Sequence, residues 1–318
     1  MIKNVINLFL LFLALSLAGA TLKAQPSPSP SPKENRKQPA TAKAEIAEEV
    51  GEGDVIRVNA NLVSVPVIVM NREGHYVVDL NQSDFRIFED GKEQAITHFS
   101  NVDNPFWVAL LIDTSGSTAP FLDQIKAVAK TFVGELKPID KVLPVYFHGE
   151  VKSLIGSRAN DLKALRSAID QMQPGAINMG TRLYDAVDFG MSASKRESGR
   201  KAIILLTDGD NTWGKATMKG TLRDADESDA IIYAVQYGDG PPQKYLQQLA
   251  HKTGGRYFKA GDINLINQSF AGVAEELRRQ YRIGYYAKPL AGIGQKRKIA
   301  VKVNRNNVAV RSRDSYNR

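Results

Sequence analysis

The chain of 318 residues contains no cysteine. That absence excludes disulfides, thiolate metal sites, a cysteine nucleophile and the anchor cysteine of a lipoprotein. Histidine is nearly as scarce. His75, His98, His148 and His251 are scattered, and no pair has the i, i+4 spacing of a zinc protease helix. No unbroken apolar stretch is long enough to be a comfortable membrane helix. Residues 5–17 (VINLFLLFLALSL) come nearest, but they are short for a span and include Asn7 and Ser16. With Lys3 before them and Ala18-Gly19-Ala20 after them, and Ala24 as a second cleavage point, residues 1–24 read as a signal peptide. The alternative is an uncleaved anchor. Either way the expected location is outside the cytoplasm: periplasmic, cell-surface or secreted.

Residues 25–54 are expected to be a linker. Proline alternates with serine over 26–32, and a charged, aromatic-free stretch follows that cannot bury a core. Residues 55–103 alternate apolar and polar side chains and carry a hairpin signal at Asp90-Gly91, so they predict a small β-unit. From 104 to 274 strand and helix patterns alternate, the mark of a parallel α/β sheet. Helices are expected over 124–136, 162–172, 183–195, 244–252 and 263–279. Strands are expected over 107–112, 142–147, 151–155, 203–207, 230–237 and 255–259. Residues 275–318 return to β-pattern at 281–287, 298–304 and 308–313. Neither flanking segment has material for a core of its own. Their simplest arrangement is one sandwich made by both, with the α/β domain inserted between them.

The formal charge of +8 is unevenly spread. From Arg278 to Arg318 there are twelve Lys/Arg against the single acid Asp314, a local net of +11 that leaves about −3 for the rest. Such a segment is either a solvated strand face or a surface for anionic envelope polymers and lipid headgroups. No recognition motif points to nucleic acid.

The chemistry concentrates in three segments. Residues 106–117 read FWVALLIDTSGS, an apolar run suited to a strand buried on both faces that ends in Asp113, with Ser115 and Ser117 at alternate positions. Strand ends of this kind open into the crevice where α/β sheets bind ligands. Residues 201–209 read KAIILLTDG and end the same way, in Asp208. In NMGTRLYDA, residues 178–186, Thr181 precedes a helical pattern; it can cap that helix or turn its hydroxyl to a cation. One carboxylate and two hydroxyls on one loop suit a hard cation such as Mg²⁺. Two carboxylates about 6 Å apart repel by roughly 3 kcal/mol at an effective dielectric of 20, a strain that a cation relieves.

Asp113, Ser115, Ser117, Thr181 and Asp208 together resemble the metal-ion-dependent adhesion site of von Willebrand factor type A domains, over about residues 104–274. The resemblance implies a doubly wound, mostly parallel α/β sheet with helices on both faces, here flanked by the small β-sandwich. It implies that Asp113, Ser115, Ser117 and Thr181 contact Mg²⁺ or Mn²⁺ directly or through water, and that Asp208 acts through water. DFRIFEDGKEQAITHF before the domain and QYRIGYY with RKIAVKV after it are similar to a family of exported bacterial proteins with von Willebrand A-related domains, best represented in acidobacteria.

Rival chemistries are weaker. GDNTWGK at 209–215 fits the phosphate-binding loop Gly-x4-Gly-Lys and follows a strand, but Ala216 stands where that loop needs Ser or Thr, and Asp208 and Asp210 would repel phosphate. An aspartyl phosphatase needs a carboxylate at position 115, which is serine. Ser115 also lacks a Gly-x-Ser-x-Gly elbow. Trp107, Tyr184 and Trp213 are candidates for a binding rim or for core. The expected function is an exported, non-enzymatic binding protein that captures a protein partner through an Asp or Glu carboxylate on the cation. The alternatives are an envelope scaffold working through its basic β-region and, remotely, a phosphate-loop ATPase.

Overall fold

The computed structural model describes residues 62–317, apart from 102–103, 156–159, 177, 289–291 and 293. The segments expected to be a signal peptide and a linker, and the start of the expected N-terminal β-unit, lie outside the described residues. Those described fall within a single unit, Arg57–Arg318.

Four strands come first: β1 (Leu62–Asn71), β2 (Phe85–Glu89), β3 (Lys92–Gln94) and β4 (His98–Ser100). The α/β part follows as β5 (Phe106–Asp113), α1 (Leu122–Gly134), β6 (Lys141–Phe147), β7 (Val151–Ser153), α2 (Leu162–Asp170), α3 (Leu183–Ser194), β8 (Arg200–Thr207), α4 (Met218–Glu227), β9 (Ile231–Tyr237), α5 (Lys244–Lys252), β10 (Tyr257–Ala260) and α6 (Ile263–Arg279). Four strands close the chain: β11 (Tyr281–Tyr286), β12 (Lys296–Val303), β13 (Val308–Ser312) and β14 (Ser315–Asn317). Two expected helices, 244–252 and 263–279, occupy those spans. The one expected over 124–136 starts two residues early, because a 3-10 turn at Ala119–Phe121 containing Pro120 runs directly into α1.

The central sheet has the order β10-β9-β8-β5-β6-β7, parallel except for the edge strand β7. Every residue of β5 and of β8 is buried, because helices cover both faces. Period-two alternation divides β5 between two cores. Val108, Leu110 and Ile112 pack with Ile125 and Phe132 of α1, Ile169 of α2 and Phe270 of α6. Trp107, Ala109 and Leu111 pack with Val187 and Met191 of α3 and Leu246 of α5 on the other side. An unbroken apolar run is what a strand with two buried faces requires. The chain leaves β5 toward β6 on one side and later returns to lay β8 on the other. The crevice at the carboxyl ends of β5 and β8 is therefore the topological switch point.

The remaining strands form two antiparallel sheets, β13-β1-β11-β4 and β14-β12-β2-β3. β1 lies between β11 and β13, and β2 pairs with β12, so segments from both sides of the α/β part share each sheet. Val63, Val65, Val67 and Val69 of β1 meet Ile87, Tyr281, Ile283, Tyr285 and Ile299 in a third core. Buried in it is the Glu89 carboxylate, which accepts from the hydroxyls of Tyr285 (2.7 Å) and Tyr316 (2.9 Å) and from Nε of Arg297 (3.0 Å). Tyr316 belongs to β14, a strand that the sequence pattern did not signal.

Much of the C-terminal basic charge is used internally. Arg282 pairs with Asp229, Arg297 with Glu89, Arg305 with Asp79, and Arg311 with the buried Glu276 of α6. Arg313 is itself buried and donates to the carbonyls of Ser228, Asp226 and Ser315. Arg282, Arg311 and Arg313 thus tie the flanking strands to the α/β part, while Lys296, Lys298 and Lys302 of β12 are exposed.

Candidate functional site

Asp113 is the last residue of β5, and Asp208 directly follows β8. Adjacent parallel strands bring the two acids to one crevice. Ser117 spans it: its hydroxyl donates to Oδ2 of Asp208 at 2.5 Å and lies 3.1 Å from the hydroxyl of Ser115. Asp113 is fully buried, whereas Ser117 is exposed, so the cluster opens to solvent on the serine side.

Two protein donors orient Asp113. The backbone N–H of Ser115 donates to Oδ1 at 2.9 Å, and the hydroxyl of Thr207 donates to Oδ2 at 2.7 Å. Neither Asp113 nor Asp208 forms an ion pair among the described residues. Burial, and then the neighbouring Asp208 charge, push the Asp113 carboxyl up to about 7. The same acids, after burial, raise the Tyr237 hydroxyl above its ordinary range.

Two acids without a protein counter-charge, one of them deeply buried, match a site whose missing charge is a cation. Three of the five candidate oxygens are hydroxyls. Among the described residues there is no cluster of three or more His, Cys, Asp or Glu side chains fit to hold a metal. The residues present suit a hard, oxygen-seeking ion.

Backbone bonds hold the serine loop. The Thr118 amide and hydroxyl both donate to the Ser115 carbonyl (3.0 and 2.8 Å), and the Thr114 N–H donates to the Phe147 carbonyl at the end of β6 (2.9 Å).

Thr181 is buried and enters from a third loop. It does not cap α3: the N-cap is Arg182, without a side-chain cap bond. Its position is fixed through the backbone. The Arg182 N–H donates to the His148 carbonyl (2.9 Å), next to the end of β6. The Thr181 N–H donates to the Thr212 hydroxyl (2.8 Å), and its carbonyl accepts from the amides of Thr212 (3.0 Å) and Trp213 (3.1 Å). Gly180, at φ +70, allows this approach: a Cβ there would lie 2.8 Å from Oγ1 of Thr212. The structure thus joins Ser115, Ser117 and Asp208 by side-chain contact, Asp113 through the Ser115 amide, and Thr181 through the loop that begins at Asp208.

Sequence reasoning passed over three supporting side chains. Thr207 is the residue before Asp208, at the strand end, and its alternation toward Asp113 is visible only once the β5–β8 pairing is known. Thr212 clamps Thr181. Asp185 accepts from the amides of Lys215 (2.9 Å) and Ala216 (2.6 Å). In the phosphate-loop reading of 209–215 those amides would face a nucleotide, but here they close on the chain's own carboxylate. Thr217 caps α4 by accepting from the Gly220 amide at 3.0 Å. The three aromatic candidates separate: Trp107 is core, Tyr184 packs edge-on against Tyr245 with ring centroids 4.8 Å apart, and Trp213 is exposed.

Residues 108–271, just over half of the chain, match the von Willebrand factor type A domain. The chain belongs to this family. Domains of the family commonly bind a divalent metal at a metal-ion-dependent adhesion site. Similar solved structures include an aerotolerance-related membrane protein from Bacteroides fragilis, 18% identical, covering 55% of this chain and 98% of that one with a TM-score of 0.45. A von Willebrand factor type A protein from Catenulispora acidiphila is 12% identical and covers 82% of this chain and 75% of that one, with a TM-score of 0.48. Proximal thread matrix protein 1 of the mussel byssus, solved with zinc in its metal-ion-dependent adhesion site, is 18% identical and covers 59% of this chain and 49% of that one at a TM-score of 0.49. No curated protein matches the chain. No helix among the described residues is long and apolar enough to cross a membrane.

Proposed function

We propose that this von Willebrand A protein is an exported, non-enzymatic binding protein that captures a protein partner through a divalent cation, Mg²⁺ or Mn²⁺. Asp113, Ser115, Ser117 and Thr181 would hold the ion directly or through water, and Asp208 would act through water and the Ser117 hydroxyl. The observation that carries this reading is the 2.5 Å bond from Ser117 to Asp208, made beside a buried Asp113 that has no protein cation to balance it. Few charged groups surround the ion, so it stays electrophilic, and a carboxylate from an Asp or Glu of the partner is its natural further ligand. Placement outside the cytoplasm rests on the signal-peptide pattern of residues 1–24.

The test is capture of partners from envelope extract on immobilised protein, in Mg²⁺, in chelator and across a salt series. Capture that needs the metal, and is lost in Thr181→Ala protein that still folds, supports the reading. Capture that ignores chelator and falls steeply with salt overturns it and moves binding to the exposed lysines of β12.

A further inference from the structure

Each of the three loops that bring oxygens to the site also displays one large apolar side chain to solvent. Phe121 follows Ser117 by four residues and is 47% exposed. Met179 precedes Thr181 by two and is 49% exposed, and Trp213 follows Asp208 by five and is 60% exposed. Scattered apolar side chains on a surface are ordinary, but Met179 and Trp213 stand together, on either side of Gly180 and beside a polar centre, which is the pattern of an interaction surface.

Trp213 is the clearest case, because its exposure is not a product of a loose loop. Its amide donates to the Thr181 carbonyl, the Thr212 hydroxyl accepts from the Thr181 amide, and Asp185 ties down Lys215 and Ala216 immediately beyond it. The Asn211 side chain accepts from the Tyr184 N–H at 3.0 Å. The loop's polar groups are spent on holding the backbone in place, and the indole is left facing outward. A Cβ on Gly180 would lie 3.3 Å from Cβ of Trp213, so the indole's stem stands directly against the turn before Thr181. Gly149 packs closely against the stem of Met179: a Cβ on Gly149 would come within 2.9 Å of the Met179 Cβ. A pre-ordered indole binds apolar surface at small entropic cost, and a methionine beside it adapts to the shape of what it meets.

We infer that Trp213 and Met179, on either side of Gly180 and next to Thr181, form an apolar rim that selects a partner segment in which the metal-seeking Asp or Glu is flanked by large apolar side chains. The inference rests on the metal-dependent reading of the site and adds the chemistry of the residues beside the carboxylate. A segment with a carboxylate among small polar residues would reach the ion but leave the rim wet. One with an apolar residue on either side buries an aromatic or aliphatic group against the indole, a gain large enough to change affinity about tenfold.

The chain has two tryptophans, and the other, Trp107, is buried in β5, so a change in intrinsic emission on ligand binding reports Trp213. The probes are three blocked pentapeptides, Gly-Phe-Glu-Leu-Gly, Gly-Gly-Glu-Gly-Gly and Gly-Phe-Gln-Leu-Gly, titrated in Mg²⁺ and in chelator by emission and by calorimetry. The first should shift the Trp213 emission to the blue and bind about tenfold more tightly than the second, and the third should not bind. Trp213→Ala should bring the first peptide down to the affinity of the second while leaving Mg²⁺ affinity unchanged. Equal affinities for the two Glu peptides, an unaffected Trp213→Ala protein, or no binding of any peptide at millimolar concentration overturns the rim. In the first two outcomes a Mg²⁺ requirement for the Glu peptides leaves the metal reading standing. If the Gln peptide binds as well as its Glu counterpart and chelator has no effect, the metal reading fails together with the rim.

Discussion

Thr207 and Asp113 end neighbouring strands, and the threonine hydroxyl donates to the buried carboxylate across 2.7 Å. That bond ties β8 to β5 at the switch point and, together with the Ser115 amide on Oδ1, sets the orientation of the carboxylate. It also lowers the cost of charge on a group that burial and Asp208 oppose. Thr207→Val keeps the shape and removes the donor. Mg²⁺ affinity measured by calorimetry should fall about tenfold or more, the usual range for a group that orients a metal ligand, with the fold retained. Unchanged affinity would show that Thr207 only packs.

The charge on Asp113 sets a pH dependence. Its carboxyl is raised to about 7 in the folded chain, above its ordinary value of 3.8. Ionising it therefore disfavours the native state, and stability without metal is lost as pH rises from the ordinary carboxylate range toward 7. The full penalty, present above 7, is on the order of 4 kcal/mol. A cation removes that penalty and must displace the proton below it. The rise in Tm on adding Mg²⁺ should accordingly be larger at pH 7.5 than at pH 5.5. An equal rise at both would mean that Asp113 is not the group the cation compensates.

Gly180 should not tolerate a side chain. Its φ of +70 and the 2.8 Å approach to the Thr212 hydroxyl both oppose alanine. Gly180→Ala should cost more than the roughly 1–2 kcal/mol of left-handed backbone strain alone and should weaken Mg²⁺ binding by displacing Thr181. Gly74→Ala, at φ +84 with nothing within 4 Å, is the matched control for strain without a clash. Equal Tm losses in the two variants would show that the Thr181 clamp is unimportant.

Neither α/β core includes a residue from the flanking strands, whereas β1 has β11 on one side and β13 on the other. Deleting residues 281–318 should leave the central domain resistant to limited proteolysis and make residues 62–100 the sites of rapid cleavage. Persistence of an intact 62–100 fragment would contradict the shared third core.

The sequence made much of this legible, for definite reasons. β5 and β8 stand out because strands with two buried faces must be apolar throughout, and the acid that ends each breaks the pattern. α5 and α6 matched their expected spans because their amphipathic periods are complete. β14 was invisible: its three residues, Ser315 to Asn317, carry no period of their own, and they pair only because β12 is alongside. The Asp185 cradle was hidden for a similar reason, since a carboxylate inside a helical pattern reads as a solvated face until the 209–216 loop is seen to wrap it. The pairing within the basic C-terminus was hidden as well, since charge in a sequence does not show whether it is paired. Arg311 and Arg313 are tied into the junction with the α/β part.

The most direct test of the central claim is a calorimetric titration of Mg²⁺, repeated with Mn²⁺, into the wild-type chain and into Asp113→Ala, with a thermal melt to establish that the variant is folded. Saturable one-site binding to the wild type and loss of most of that affinity in a folded Asp113→Ala protein is the expected result. Equal affinity in the two proteins, or no binding to the wild type, would contradict the assignment of a cation site to Asp113, Ser115, Ser117, Thr181 and Asp208.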